Sequence, residues 1–242
     1  RAEKMEAIGL LAGGFAHDCN NILGGVIGNI EIAMIKSAPD DQIRKFLTTS
    51  LESADKLAQL VQDLLTLARR GVIKTKVLNL NEVVDSFLEN PLLKKIKTHH
   101  PDIQITTALD PNLMNIIGKQ VHMDKTVMNL VTNAVEALPY GGTINISTRN
   151  QYVDSPIHGY DLNIDEGEYA VLRISDDGTG IAPVDMNRIF EPFYTTKATG
   201  VGMGLAVCQR IITAHDGVIS VASREGGGTA MIVRLPTGVE EE

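Results

Sequence analysis

Two stretches near the start of the chain repeat apolar or small residues at alternating spacings of three and four, and they constrain the fold more than any other feature. Such spacing aligns the side chains along one stripe of an α-helix. Pro39 cannot continue the first helix, and Asp40 suits the start of the second. Because the connection is short, the two helices are predicted to lie antiparallel. The stripes comprise Met5, Ile8, Ala12, Phe15, Cys19, Ile22, Val26 and Ala33, and then Leu47, Leu51, Ala54, Ala58, Val61, Leu65 and Ala68.

A hairpin of this kind buries too little apolar surface by itself, so a homodimer that forms a four-helix bundle is predicted. The pattern changes after Arg69 and Arg70, which suit a helix C-terminus, and after Gly71, which suits its cap. We therefore predict a helical domain over residues 1–72 and a second domain over residues 73–242.

The second domain combines helical periods with strand-like runs, which predicts an α/β sandwich and an α+β fold class for the whole chain. The polar stretch 154–167 is predicted to be a hairpin loop. The predicted helices cover residues 79–98, 120–138 and 203–215, and the predicted strands cover 102–108, 143–153, 168–175 and two runs within 217–235.

The segment "GFAHDCNNIL" places polar residues inside the first helix. His17 is two residues from Phe15 and two from Cys19, so it is predicted to point away from the apolar stripe. Asn21 shares its face one turn later, and Asp18 lies on the flank. A solvated helix face explains one such histidine, but a carboxylate beside an imidazole also makes the ring a better nucleophile.

Two clusters in the second domain carry groups that suit a nucleotide and a metal ion. Asn129 and Asn133 are one turn apart on a predicted helix, and amide oxygens are good neutral ligands for Mg²⁺. Asp176 ends a predicted strand, where its carboxylate can accept a hydrogen bond from an adenine amino group. Gly178 and Gly180 follow it and permit a close approach of the backbone. Taken singly, these residues are also explained by helix-face amides and by an Asp-Gly turn.

Two further clusters are rich in glycine. Gly200, Gly202 and Gly204 alternate just before a predicted helix, so backbone N–H groups can bind an anion there. Lys197 adds a positive charge nearby, and the absence of a following Gly-Lys-Ser/Thr excludes a Walker A loop. Thr229 begins a strand after the glycine turn in "REGGGT".

Together and in this order, the clusters resemble those of two-component sensor histidine kinases. "HDCNN" is similar to the H-box of that family, "NLVTNAVEA" to its N-box, "DDGTG" to its G1 box, "FEPFYTTK" to its F-box and "GVGMGL" to its G2 box. The resemblance covers nearly the whole chain. It implies a dimerisation and phosphotransfer hairpin followed by an ATP-binding domain of the Bergerat (GHKL) ATPase type. The start, "KMEAIGLLAGGFAHD", resembles the hybrid or nitrogen-regulator-like branch.

The resemblance implies a role for each matching residue. His17 is expected to accept the phosphoryl group with the help of Asp18, and Asn21 to position water for phosphatase action. Asn133 is expected to bind Mg²⁺, and Asp176 to bind the adenine of ATP. The implied partner is the receiver domain of a response regulator. The other residues that the resemblance places at the nucleotide are Asn129, Gly178, Gly180, Ile181, Lys197, Gly200, Gly202, Gly204, Leu205 and Thr229.

Three positions depart from the family pattern. Cys19 stands where a phenylalanine is common, and looser packing is expected beneath His17. The stretch from Lys197 to Gly200 is shorter than in close relatives, which affects the expected contacts of the lid with the γ-phosphate. Glu136 stands where some branches carry a basic residue, and it receives no role from the sequence.

Charge and hydropathy exclude some function classes. The net charge is −8 without a basic stripe, so nucleic acid is not expected as a partner. No apolar run approaches a membrane span, so this fragment is expected to be cytoplasmic and to make no membrane contact, although a full-length protein could be anchored. Cys19 and Cys208 are predicted to be buried free thiols.

Two other functions are compatible with parts of the pattern. An ATPase of the same superfamily would use a glutamate one turn before the metal-binding asparagine, but Asn129 occupies that position and cannot act as a general base. A dimeric scaffold that binds nucleotide without chemistry is the second alternative.

Overall fold

The computed structural model describes most of the chain in two compact units, Arg1–Gly71 and Val72–Glu242. Described are residues 2–38, 42–68, 75–158, 163–197 and 200–238, without the side chains of residues 2–18 and of Leu92, Lys95 and Lys97. Among the described helices, none is long and apolar enough to cross a membrane. The residues that were expected to bound the first two helices lie outside the described ones: Pro39, Arg69, Arg70 and Gly71 at helix ends and Asp40 at the start of the second helix.

The first unit is a hairpin of two helices, α1 (Ala2–Lys36) and α2 (Gln42–Ala68). Halfway along the hairpin, Leu23 of α1 packs in one buried cluster with Ala54 and Val61 of α2. At the connecting end, the guanidinium of Arg44 donates a hydrogen bond to the carbonyl of Met34 at 2.9 Å. Contacts between the end of α1 and the start of α2 mean that the helices are antiparallel, as predicted.

The stripe of α1 that faces α2 differs from the predicted one. Cys19, Leu23 and Ile27 line it at a spacing of four, whereas the predicted members Ile22 and Val26 are 69% and 44% exposed. For a single hairpin the prediction was wrong at these two positions, because the apolar face of α1 is wider than the strip that one partner helix covers. On α2 the predicted positions do pack in the interface: Ala54, Ala58, Val61 and Leu65.

The second unit is built on a five-stranded sheet with the strand order β2-β4-β7-β9-β8. Strands β2 and β4 are parallel, and every other neighbouring pair in this sheet is antiparallel. Two short antiparallel pairs, β1 with β3 and β5 with β6, lie outside it. The strands are β1 Lys76–Leu78, β2 Ile103–Ala108, β3 Ile116–Gly118, β4 Gly142–Val153, β5 Ile157–His158, β6 Asn163–Ile164, β7 Gly167–Asp176, β8 Val218–Ser223 and β9 Thr229–Pro236.

The remaining helices are α3 (Leu80–Glu89), α4 (Pro91–His99), α5 (Gln120–Glu136) and α6 (Gly204–Thr213). The single helix predicted over 79–98 was wrong, because the chain breaks at Asn90. Asn90 has an extended backbone with ψ 136, the conformation that a following proline favours, and Pro91 then begins α4.

Helices α3, α5 and α6 pack together, and α5 and α6 lie against the sheet. Ile144 and Ile146 of β4 and Leu172 and Ile174 of β7 are almost fully buried. The intervening residues of β4 next to Ile144 and Ile146 are polar and less buried, as in a sheet with one covered face, whereas β7 is buried continuously from Tyr169 to Leu172. The predicted α/β sandwich is therefore confirmed, and the loop after β7 meets the end of α5, where the N–H of Thr179 donates to the carbonyl of Ala137 at 3.1 Å.

The predicted hairpin loop at 154–167 contains the two-residue strands β5 and β6. Ile164 of β6 packs in a small buried cluster with Val153, Tyr169 and Val218. Residues 159–162 between these strands lie outside the described ones.

Candidate functional site

Asp176 is the last residue of β7, and backbone hydrogen bonds fix its carboxylate. Its Oδ1 accepts from the N–H of Gly178 at 3.0 Å and from the N–H of Thr229 at 3.3 Å. Burial raises the pKa of Asp176 above its ordinary value, while these two backbone bonds act in the opposite direction. For Oδ2 there is no protein partner within the described ranges, so this oxygen can accept a hydrogen bond from a ligand.

The glycines after Asp176 allow the backbone to pass close to two neighbouring segments. A Cβ on Gly178 would lie 2.3 Å from the carbonyl oxygen of Ala137, just beyond α5. Gly180 has φ +69, and a Cβ there would lie 2.0 Å from the carbonyl oxygen of Arg224. Any larger residue would push the loop away from α5 and from the turn before β9.

Ile181, which the resemblance places at the nucleotide, is joined to Thr229 through a serine that the sequence did not indicate, and Thr229 in turn contacts Asp176. The N–H of Ile181 donates to Oγ of Ser223 at 2.9 Å. The hydroxyls of Ser223 and Thr229 lie 2.8 Å apart. Ser223 and Thr229 pair directly across β8 and β9, and this is visible only once the two strands are aligned.

The two asparagines of α5 both contact the segment 190–204, hereafter the lid segment. The amide NH₂ of Asn129 donates to the carbonyl of Gly204 at 3.3 Å. The amide oxygen of Asn133 accepts from Nζ of Lys197 at 3.4 Å. Because these residues share a face of α5, one helix contacts the lid segment near its middle and at its end.

The lid segment folds back on itself before it leads into α6. The N–H of Phe193 donates to the carbonyl of Gly202 at 2.9 Å, and the N–H of Gly200 donates to the carbonyl of Lys197 at 3.3 Å. Residues 198–199 lie outside the described ones. At the start of α6, the N-cap residue Met203 makes no side-chain capping bond, and the half-buried Leu205 follows in the first turn.

Glu136 at the end of α5 forms an ion pair with Lys197 of the lid segment. Sequence reasoning gave Glu136 no role, because its partner is 61 residues away. The pair places a carboxylate next to the amide oxygen of Asn133, with the ammonium of Lys197 in contact with both.

The oxygen atoms gathered here suit Mg²⁺. Mg²⁺ prefers carboxylate and carbonyl oxygens, keeps several waters and commonly binds phosphates as well. The ammonium group of Lys197 already occupies the place between Asn133 and Glu136, so a cation is accommodated there. Across the described side chains there is no cluster of three or more His, Cys, Asp or Glu residues that could hold a metal without such help.

The candidate phosphotransfer residues lie on α1. His17 and Asp18 are helical, but their side chains lie outside the described residues, so their orientation stays a prediction. Asn21 follows His17 by one helical turn, and its side chain is exposed. The thiol of Cys208 is fully buried, as predicted, whereas that of Cys19 is only half-buried beneath this segment.

Two family models match the chain. The model described as "Histidine kinase-, DNA gyrase B-, and HSP90-like ATPase" matches residues 118–239, which is half of the chain and includes all the nucleotide-site candidates. The model described as "His Kinase A (phospho-acceptor) domain" matches residues 7–72, which include His17, Asp18 and Asn21.

Individual proteins with similar sequences or folds match this chain over nearly its whole length. Sensor kinase CckA of Brucella abortus (strain 2308) is 32% identical over 244 residues, which cover 100% of this chain and 25% of that protein. The full-length ShkA structure in complex with AMPPNP superimposes with a TM-score of 0.74 at 22% identity, over 96% of this chain and 46% of ShkA. Histidine kinase ThkA in complex with response regulator protein TrrA gives a TM-score of 0.63 at 23% identity, over 98% of this chain and 64% of that one. The chain spans a quarter to a half of the length of the curated relatives it matches.

Proposed function

We propose that this chain, which belongs to the two-component sensor histidine kinase family, transfers the γ-phosphoryl group of ATP to His17 and then to an aspartate of a response-regulator receiver domain. The observation that carries the proposal is the presence, in one chain, of a phospho-acceptor helix with His17 and of a second unit in which α5 meets both the lid segment, through Asn133 and Lys197, and the loop that follows Asp176. The predicted boundary at residue 72 and the cytoplasmic location are parts of the same proposal.

ATP and Mg²⁺ are the proposed ligands of the second unit. Oδ2 of Asp176 accepts a hydrogen bond from the adenine amino group, while Gly178, Gly180, Ile181 and Thr229 shape the surrounding wall. Phosphate oxygens are bound by Lys197 and by backbone N–H groups at the start of α6. Asn133 provides the oxygen for Mg²⁺, which would neutralise charge on the phosphates, and Asn129 supports it. Gly200, Gly202, Gly204 and Leu205 form the end of the lid.

The proposed chemistry is an in-line phosphoryl transfer. A lone pair of the His17 imidazole attacks the γ-phosphorus, and the bond to the bridging oxygen breaks so that its electron pair leaves with ADP. The carboxylate of Asp18 takes the proton from the other ring nitrogen, which leaves a neutral imidazole ring that carries the anionic phosphoryl group. In the second step, an aspartate carboxylate of the receiver domain attacks the phosphorus, and the electron pair of the broken phosphorus–nitrogen bond stays on the ring nitrogen. The proton held by Asp18 returns to the other ring nitrogen, so His17 leaves as a neutral imidazole.

A second copy of the chain is proposed to complete the hairpin. Ile22 and Val26 of α1 and Leu57 of α2 are 44% to 69% exposed, and they line one apolar groove of the hairpin. Large exposed apolar surface of this kind marks an interaction site. In a homodimer, the groove of each copy would receive the other copy and form a four-helix bundle.

One observation separates the kinase from an ATPase of the same superfamily. The NH₂ group of Asn129 donates to the carbonyl of Gly204, in the position where such ATPases carry a glutamate. An amide held as a donor cannot deprotonate a water molecule. A phospho-acceptor domain is also unexplained by an ATPase or by a nucleotide-binding scaffold. The fold that the chain shares with ThkA, which was solved with a response regulator, supports a receiver domain as partner.

Incubation of the purified chain with γ-labelled ATP and Mg²⁺ tests the proposal. The expected result is acid-labile label on the protein, which is lost in His17→Gln while ATP binding and dimerisation remain. Release of free phosphate without labelled protein would indicate an ATPase, and neither product would indicate a scaffold. Label that persists in His17→Gln would show that another residue accepts the phosphoryl group.

A further inference from the structure

Lys197 of the lid segment makes two contacts with α5, both at the proposed cation site. Its Nζ donates to Oδ1 of Asn133 at 3.4 Å and forms an ion pair with Oε2 of Glu136. Asn133 and Glu136 are three residues apart, so they share a face of the helix. The side chains of Lys197 and Glu136 are 40% and 47% exposed, which leaves the pair accessible to a ligand.

We propose that Glu136 is a latch for the lid: in the nucleotide-free chain it holds Lys197 on the oxygen of Asn133, and ATP with Mg²⁺ must displace Lys197 from both side chains. This inference rests on the proposed function, because Asn133 is the proposed ligand of Mg²⁺. Glu136 is thus a positioning residue, which acts through Lys197 and not on the transferred group.

The exchange is favourable for reasons of charge. In the nucleotide-free chain, the ammonium of Lys197 lies between the side-chain oxygens of Asn133 and Glu136. A divalent cation binds such oxygens more favourably than an ammonium group does. When Mg²⁺ and a triphosphate are both present, Lys197 loses this place and gains phosphate oxygens, which carry more negative charge than one carboxylate. An acidic residue at position 136 therefore opposes nucleotide binding in the open state and gives Lys197 a defined starting position.

The size of the effect follows from the exposure of the pair. Exposed ion pairs are weak, so releasing Lys197 should change ATP affinity by roughly two- to fivefold. Glu136→Gln keeps the shape of the side chain and removes its charge. It should therefore bind ATP roughly two- to fivefold more tightly than the wild type.

The test is calorimetric titration of the 242-residue chain with ATP and Mg²⁺, for the wild type, Glu136→Gln, Lys197→Met and the double variant. Lys197→Met should bind more weakly, because it loses a phosphate contact. The latch requires that Glu136→Gln increases affinity at least twofold more in the wild-type background than in the Lys197→Met background. This difference measures the coupling between the two side chains.

Asp124→Asn is the matched control, since it removes the same charge from the same helix. Asp124 lies 12 residues before Glu136, which is roughly 18 Å along α5, and it accepts a hydrogen bond from Gln120 at 2.9 Å. Its affinity for ATP should equal that of the wild type.

Four results would overturn the latch. Equal gains in both backgrounds would mean that Glu136 only repels the phosphates. Weaker binding by Glu136→Gln with Mg²⁺, but not with EDTA, would place Glu136 at the metal. An unchanged Glu136→Gln affinity would leave the kinase proposal intact and refute the latch alone. A wild-type chain that binds no ATP would instead refute the proposed function, and the latch with it.

Discussion

Replacement of Asp176 by asparagine should reverse one hydrogen bond of the proposed adenine site while leaving the fold in place. The N–H groups of Gly178 and Thr229 both point at Oδ1, at 3.0 and 3.3 Å, so they will select the amide oxygen for that position. The new NH₂ group must then lie where Oδ2 lies now. A donor would face the amino group of adenine, which is also a donor.

The magnitude follows from the loss of one hydrogen bond to a charged acceptor, which is about 1.5–3 kcal/mol. ATP affinity should therefore fall about ten- to a hundredfold. Guanine carries a carbonyl where adenine carries its amino group, so the new NH₂ group can donate to it. The ratio of ATP affinity to GTP affinity should therefore fall by a larger factor than ATP affinity itself.

Stability should change little, because the amide oxygen still accepts from both backbone N–H groups. Burial already raises the pKa of Asp176, so a neutral group at this position removes a desolvation cost. Thermal unfolding of the variant should therefore resemble that of the wild type, and any loss of ATP binding can be assigned to the site itself.

Titration calorimetry with ATP and with GTP is the assay, and Asp177→Asn is the control. Asp177 is the exposed neighbour of Asp176, and its Oδ1 accepts from the N–H of Thr143 at 2.8 Å. This control removes an equal charge one residue away and should keep ATP affinity within about twofold. An unchanged ATP affinity in Asp176→Asn, or an equal loss in both variants, would show that adenine binds elsewhere.

Two further predictions concern Asn21 and His122. Asn21→Ala should keep the phosphorylation of His17 and slow the dephosphorylation of a receiver domain, because the amide of Asn21, one turn from His17, can orient water. Alanine is well tolerated in a helix, so the fold should persist. Equal decay rates of the purified phosphorylated receiver with the wild type and with the variant would contradict this role. Burial, with His215 nearby, lowers the pKa of His122 from 6.5 to about 4. Below pH 6.5, His122 therefore gains a proton more readily in the unfolded chain than in the folded one. The free energy of unfolding in urea should fall by about 1 kcal/mol between pH 7 and pH 5, with solvent screening taken into account. His122→Phe should show no such loss, and the same loss in that variant would assign it to another group.

The sequence predicts those parts of the site that depend on local geometry. Asp176 at a strand end, with Gly178 and Gly180 after it, follows from the residue types and their spacing. The ion pair of Glu136 with Lys197 could not be predicted, because it joins a helix end to a loop 61 residues later. Short strands also escape prediction: β1 and β3 have three residues each, too few to show a period of two, and they pair only after the chain has folded.

The error on α1 has a physical cause that also bears on the proposed homodimer. The apolar face of α1 is wider than the predicted stripe, which left out Leu23 and Ile27, and one hairpin buries only the positions that face its own second helix. Leu23 meets that condition, while Ile22 and Val26 do not. These two side chains belong to the same apolar face, and a second helix pair, such as that of the proposed second copy, would cover them. The predicted and observed stripes are therefore compatible if the face of α1 is shared between α2 and a second copy of the chain.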